Sequence, residues 1–98
     1  MNLQSLMKQA QSMQKNMLDS KAKIEAMNFT GESELVTVVM SGKKEVKSVK
    51  IKADDLEKDD IEILEDMITL AVNDAISKIN KEINDKMGSQ AGAFGDLF

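Results

Sequence analysis

Histidine, cysteine, tryptophan, tyrosine, proline and arginine are all missing from the 98 residues. Absent Cys excludes disulfides, thiolate chemistry and cysteine-based zinc sites. Absent His removes the commonest general base and the commonest metal ligand. Absent Arg leaves Lys as the sole cation. Lys acts as a point charge, not as the bidentate fork that reads guanine. Such Lys-for-Arg usage also fits a simple bias of genome composition. No apolar run approaches the roughly 18 residues of a membrane span. Met1 to Ala10 lacks a basic stretch followed by an apolar one, so no signal peptide is expected and the cytoplasm is the expected location.

The length implies one domain, and a chain this short is marginal alone. Without disulfides or metal, oligomerisation is the usual remedy. The net charge of −4 argues at first against a nucleic-acid partner. The charge is unevenly placed, however. Residues 1–31 balance at +2 and residues 32–53 at +2, whereas residues 54–74 balance at −8 and the remainder is neutral. The acidity sits in one segment and leaves a positive face elsewhere.

Leu3, Leu6, Ala10, Met13, Met17, Ser20, Ile24 and Met27 follow alternating spacings of three and four. This is a heptad seam, and it predicts a helix over 3–27, on the order of 36 Å long. Asn28 to Gly31 breaks the pattern. Residues 35–40 predict a strand, 41–44 a turn and 45–52 a second, antiparallel strand. Apolar alternation slips between Val46 and Val49, which predicts a bulge or bend, with room for a third short strand. In the first of these strands both faces carry apolar residues, Leu35 and Val39 on one and Val36, Val38 and Met40 on the other. The chain's helices can cover one face, and a second subunit is the expected cover for the other. Asp59 and Glu62 have capping-box spacing and predict the start of a helix near Asp59. An apolar stripe from Ile61 to Met87 carries that helix to Gly88, a natural stop. The expected fold is α+β: a long N-terminal helix, a small antiparallel β-sheet and a long C-terminal helix, in one domain over 1–87. Residues 88–98, rich in Gly and Ala, are expected to form a flexible tail.

Little here carries catalysis. The acidic run from Asp54 to Asp66 lacks EF-hand spacing and its central Gly, and reads mainly as capping plus a solvated face. A divalent-cation site or a mimic of DNA is the sharper version of the same run. No glycine-rich phosphate loop exists, and no nucleophile is grouped with a base. No enzymatic activity, metal, cofactor or small-molecule substrate is expected. Gln4, Lys8, Gln11 and Lys15 form a polar stripe beside the heptad seam. Lys neutralises phosphates, and Gln bonds phosphates or base edges. Lys78, Lys81 and Lys86 cluster toward the end of the second helix. An ordinary solvated flank explains the same pattern. Eight Met residues, among them Met7, Met13 and Met17, fit core packing or an adaptable groove for a protein partner.

Several stretches taken in order carry a family likeness. They are Met7-Lys8-Gln9-Ala10-Gln11-Ser12-Met13-Gln14, Thr30-Gly31, and the Gly42 turn followed by Glu45-Val46-Lys47-Ser48-Val49-Lys50-Ile51. Leu64-Glu65-Asp66-Met67-Ile68, Ala71-Val72-Asn73-Asp74-Ala75 and Lys86-Met87-Gly88 complete the set. Together they resemble the YbaB/EbfC family of bacterial nucleoid-associated proteins, over nearly the whole chain. The resemblance implies a tweezer-like homodimer that binds double-stranded DNA in the nucleoid and influences gene expression. It implies DNA contacts on the two long helices, hence at Lys8, Gln11, Lys15, Lys78, Lys81 and Lys86. With no Arg and a net acidic chain, the contact is expected to be modest in affinity, led by phosphates and sensitive to salt.

Overall fold

The computed structural model describes residues 2–87. Helix α1 spans Leu3–Glu25, capped by Asn2, whose Oδ1 accepts the Gln4 amide at 3.0 Å. The heptad seam predicts this helix to within two residues at its end. Three antiparallel strands follow, β1 (Asn28–Glu32), β2 (Val36–Ser41) and β3 (Val46–Ile51), in the order β1-β2-β3. A 3₁₀ turn at Lys58–Asp60 leads into helix α2, Ile61–Met87. The expected tail at 88–98 lies outside the described residues.

Two expectations are corrected. Asn28–Glu32 is a strand, not merely a break in the helical pattern. The box before α2 pairs Glu57 with Asp60 rather than Asp59 with Glu62. The Glu57 amide donates to Asp60 Oδ2 at 3.0 Å, so the chain turns two residues earlier and enters α2 through the 3₁₀ turn. The predicted bulge is present. Val39 pairs with Ser48 and Met40 with Val46, leaving Lys47 as the extra residue.

One sheet face lies on α2. Phe29, Gly31, Val36, Val38 and Met40 are buried there against Ala71, Ala75 and Ile79. Gly31 makes this approach close. A Cβ at Gly31 would lie 2.5 Å from the Ala75 amide nitrogen and 2.8 Å from the Ala75 Cβ, and would also meet the Ala71 carbonyl oxygen. Small side chains on both elements let strand and helix backbones nearly touch.

An α-helix is about 10 Å across, and strands lie about 4.8 Å apart, so one helix covers only about two strands. Here α2 packs on β1 and β2. β3 is exposed along its whole length. Its Val46, Val49 and Ile51 share the inner face with Met40, Val38 and Val36 through the register. The uncovered apolar surface is therefore β3 on the same face as α2. On the opposite face Val39 is half-buried, whereas Leu35, in the bend before β2, packs against the core cluster of Val36, Val38 and Ala71. The chain thus leaves the apolar row of β3 uncovered on the α2 side of the sheet.

Helix α1 runs antiparallel to α2 and meets its far end. Met17 and Ile24 pack with Ile79, Ile83 and Met87. Every described residue before Met17 is exposed. The first four turns of α1 thus stand as an arm beyond the end of α2. The hairpin turn is tied to the opposite, C-terminal end of α1, where the Gly42 amide donates to the Met27 carbonyl at 3.0 Å.

Candidate nucleic-acid interface

The arm carries the predicted polar stripe. Lys8, Gln11 and Lys15 are exposed, and among the described residues none has an ion pair or a side-chain hydrogen bond. Helical spacing of three and four keeps them on one face. No partner side chain holds these groups back from an approaching anion.

The three Lys of α2 differ from one another. Lys81 is exposed and unpaired among the described residues. Lys86 is 59% exposed and stands 3.9 Å from Glu82, a loose i,i+4 pair of little energetic weight. It also borders two clefts between the helices, one with Met13, Asn16, Met17 and Ser20, the other with Lys23, Ile24 and Met27. The larger is about 280 Å³, below the usual size of a small-molecule pocket. Lys86 therefore stands beside the base of the arm.

Lys78 lies eight residues back, about 12 Å along the helix axis. Its Nζ donates to the Thr30 carbonyl at 2.6 Å and lies 3.3 Å from Asp74 Oδ2. Asp74 Oδ2 in turn accepts the Glu32 amide at 2.9 Å. Asp74 and Lys78 thus clamp α2 to the exposed edge of β1. The structure gathers Lys8, Gln11, Lys15 and Lys86 toward the arm and leaves Lys78 in a structural joint.

Sequence reasoning did not single out Asp74, whose partner amide is 42 residues away. The Glu32 backbone hydrogen bond, then the Lys78 hydrogen bond, hold its carboxyl below the ordinary value of 3.8. A depressed carboxyl stabilises the fold fully above that ordinary value and ceases to do so as pH falls through the lower, folded value. Asp74→Asn should accordingly lower the thermal midpoint at pH 6. The gap from the unsubstituted protein should narrow as pH drops below 3.8. Circular dichroism melts across that range check both statements, and a gap that stays constant would deny Asp74 its charged role.

Comparison with known proteins accounts for the ordered motifs. The model of the YbaB/EbfC DNA-binding family matches residues 1–94. The chain belongs to this family. It is 49% identical over 90 residues to a nucleoid-associated protein of Lactococcus lactis, covering 90% of this chain and 91% of the relative. It is 43% identical over 94 residues to a nucleoid-associated protein of Streptococcus suis, covering 94% and 95%. A Streptococcus agalactiae protein of the same description is 44% identical over 94 residues, with the same coverage. Within this YbaB/EbfC member, no helix among the described residues is long and apolar enough to cross a membrane. The family is a DNA-binding one, and these relatives are named nucleoid-associated proteins.

Proposed function

We propose that the chain binds double-stranded DNA as a tweezer-like homodimer in the nucleoid, mainly through Lys–phosphate contacts. Its effects would then fall on nucleoid organisation and gene expression. The observation that carries this reading is the unpaired Lys8–Gln11–Lys15 stripe on a projecting helix, in a chain of a DNA-binding family. Lys86 supplies further charge near the base of the arm, and Lys81 supplies it elsewhere on α2. Lys78 contributes only if it leaves Asp74 and Thr30.

Dimerisation is supported by the open width of the sheet. Val46, Val49 and Ile51 are 50%, 47% and 39% exposed on the face that α2 otherwise fills. Asp74 places one flank of α2 over β1. Ile61, Ile68, Val72 and Ile76 lie roughly 120–200° around the helix from Asp74, on the flank toward β3. Ile61 is exposed and the other three are half-buried. A second copy set here would cover one apolar surface made by strand and helix together.

A second reading draws on the same arm. Leu3, Leu6, Met7 and Met13 are exposed beside the polar stripe. An adaptable apolar seam of this kind suits a helix of a protein partner. One experiment separates the readings. Light scattering should give a dimer mass, reduced to a monomer by Val49→Asp. Gel shifts with a random-sequence duplex should show binding at 50 mM salt that is much weaker at 200 mM. Absence of any shift at 50 mM would remove the DNA reading. A stoichiometric protein partner that survives nuclease treatment would favour the other.

A further inference from the structure

The arm does not hold the densest positive charge in the molecule. Five of the thirteen basic residues, Lys43, Lys44, Lys47, Lys50 and Lys52, fall within ten positions that contain a single acid, Glu45. All five are exposed, and among the described residues none of their ammonium groups makes a hydrogen bond or an ion pair. They lie on the β2–β3 hairpin and its continuation. The Lys52 amide still donates to the Leu35 carbonyl at 2.7 Å, which extends the ladder one residue past β3.

Register decides which way this charge points. Lys50 pairs with Thr37, and Ser48 with Val39, whereas Val46, Val49 and Ile51 pair with the buried Met40, Val38 and Val36. Strand alternation therefore puts Lys50 and Lys52 on the face opposite the apolar row. A second subunit seated on the apolar row leaves that face open. The turn adds an independent observation. Lys44 has a φ of 65°, a left-handed conformation that glycine occupies more cheaply. Its amide donates to the Ser41 carbonyl at 2.8 Å in this strained position. A lysine here costs stability and gains an outward charge at the hairpin tip.

We propose that the β2–β3 hairpin is a second DNA-backbone surface, in which Lys43, Lys44, Lys47, Lys50 and Lys52 neutralise phosphates separately from the helical arm. It rests on the DNA reading above. The tip is joined to the C-terminal end of α1 through Gly42 and Met27. Ile24, against which Gly42 packs, is nine residues from Lys15, about 14 Å along α1. From tip to Lys52 the strand runs on the order of 26 Å, or roughly eight base pairs of duplex. The competing explanation is that lysines on an edge strand keep two sheets from pairing edge to edge.

The test compares Lys47→Gln with Lys50→Gln and Lys52→Gln in one triple variant, Lys44→Gly alone, and Lys8→Glu with Lys15→Glu. Affinity for a 30-base-pair duplex is measured from 50 to 300 mM salt, with mass and melting temperature alongside. The triple variant should keep its mass, and the slope of log affinity against log salt should become shallower by about 2–3 for each hairpin engaged. Lys44→Gly should melt higher yet bind a few-fold more weakly. Unchanged affinity and slope in both hairpin variants overturn the proposal, and aggregation of the triple variant at unchanged affinity assigns these lysines to edge protection. Should the triple variant fail to fold, Lys44→Gly decides alone, with unchanged affinity counting against the hairpin. If the unsubstituted protein does not bind, the DNA reading itself fails. Loss confined to the arm variant removes only the hairpin.

Discussion

Gly31→Ala is expected to cost about 3 kcal/mol or more, a large part of the 5–15 kcal/mol typical of a chain of this size. The reason is steric. Gly31 sits in β1 with no left-handed φ, so alanine suits its backbone conformation. The added methyl group would meet the Ala71 carbonyl oxygen and the Ala75 amide, both helix backbone. A rotamer change cannot relieve contacts with backbone. The helix would have to lift from the sheet, and the cores that depend on it, Val36 and Val38 with Ala71, and Phe29 and Met40 with Ala75 and Ile79, would loosen together. Ala75→Gly on top of Gly31→Ala removes the clash with the Ala75 Cβ, 2.8 Å away, but not those with backbone. Partial rescue is the expected outcome. Urea denaturation followed by circular dichroism measures both. Full rescue would place the conflict in the side chain instead.

The second large effect concerns function and leaves the fold alone. Lys8→Glu together with Lys15→Glu should weaken duplex binding by roughly a thousandfold at 100 mM salt. In a dimer four phosphate contacts are lost, and each contributes about 0.9 to the salt exponent. Four carboxylates then face the phosphates instead. Stability should hardly change, because both side chains are exposed and make no ion pair among the described residues. The dimer mass should persist, since the apolar row on β3 is remote from the arm. Unchanged affinity would take the arm out of the interface and leave the hairpin as the main candidate.

Helix α1 was legible because its seam repeats without interruption and no glycine or proline breaks it. Strand β1 was not. Asn28-Phe29-Thr30-Gly31 has the residue types of a turn, yet Gly31 answers to the closeness of α2, a tertiary demand that local sequence does not display. The start of α2 was displaced by two residues because Asp54 to Glu62 offers several acids at capping spacing, and only the chain's path selects Glu57 with Asp60. That the sheet would leave apolar residues exposed was legible, but that they are Val46, Val49 and Ile51 on the α2 side was not, since it depends on how many strands a single helix spans. In the candidate interface, the polar stripe on α1 follows from helical period alone. The engagement of Lys78 with Thr30, 48 residues away, does not. The lysines of the hairpin were visible as charge, and the register showed that Lys50 and Lys52 lie on the side of the sheet opposite its apolar row.

The central claim is phosphate-led binding of duplex DNA by a dimer. The most direct measurement is the slope of log affinity against log salt for the unsubstituted protein, at concentrations where light scattering shows its mass. The account expects a dimer and a straight line falling by several decades per decade of salt. A flat line, or no binding at 50 mM salt, would contradict it.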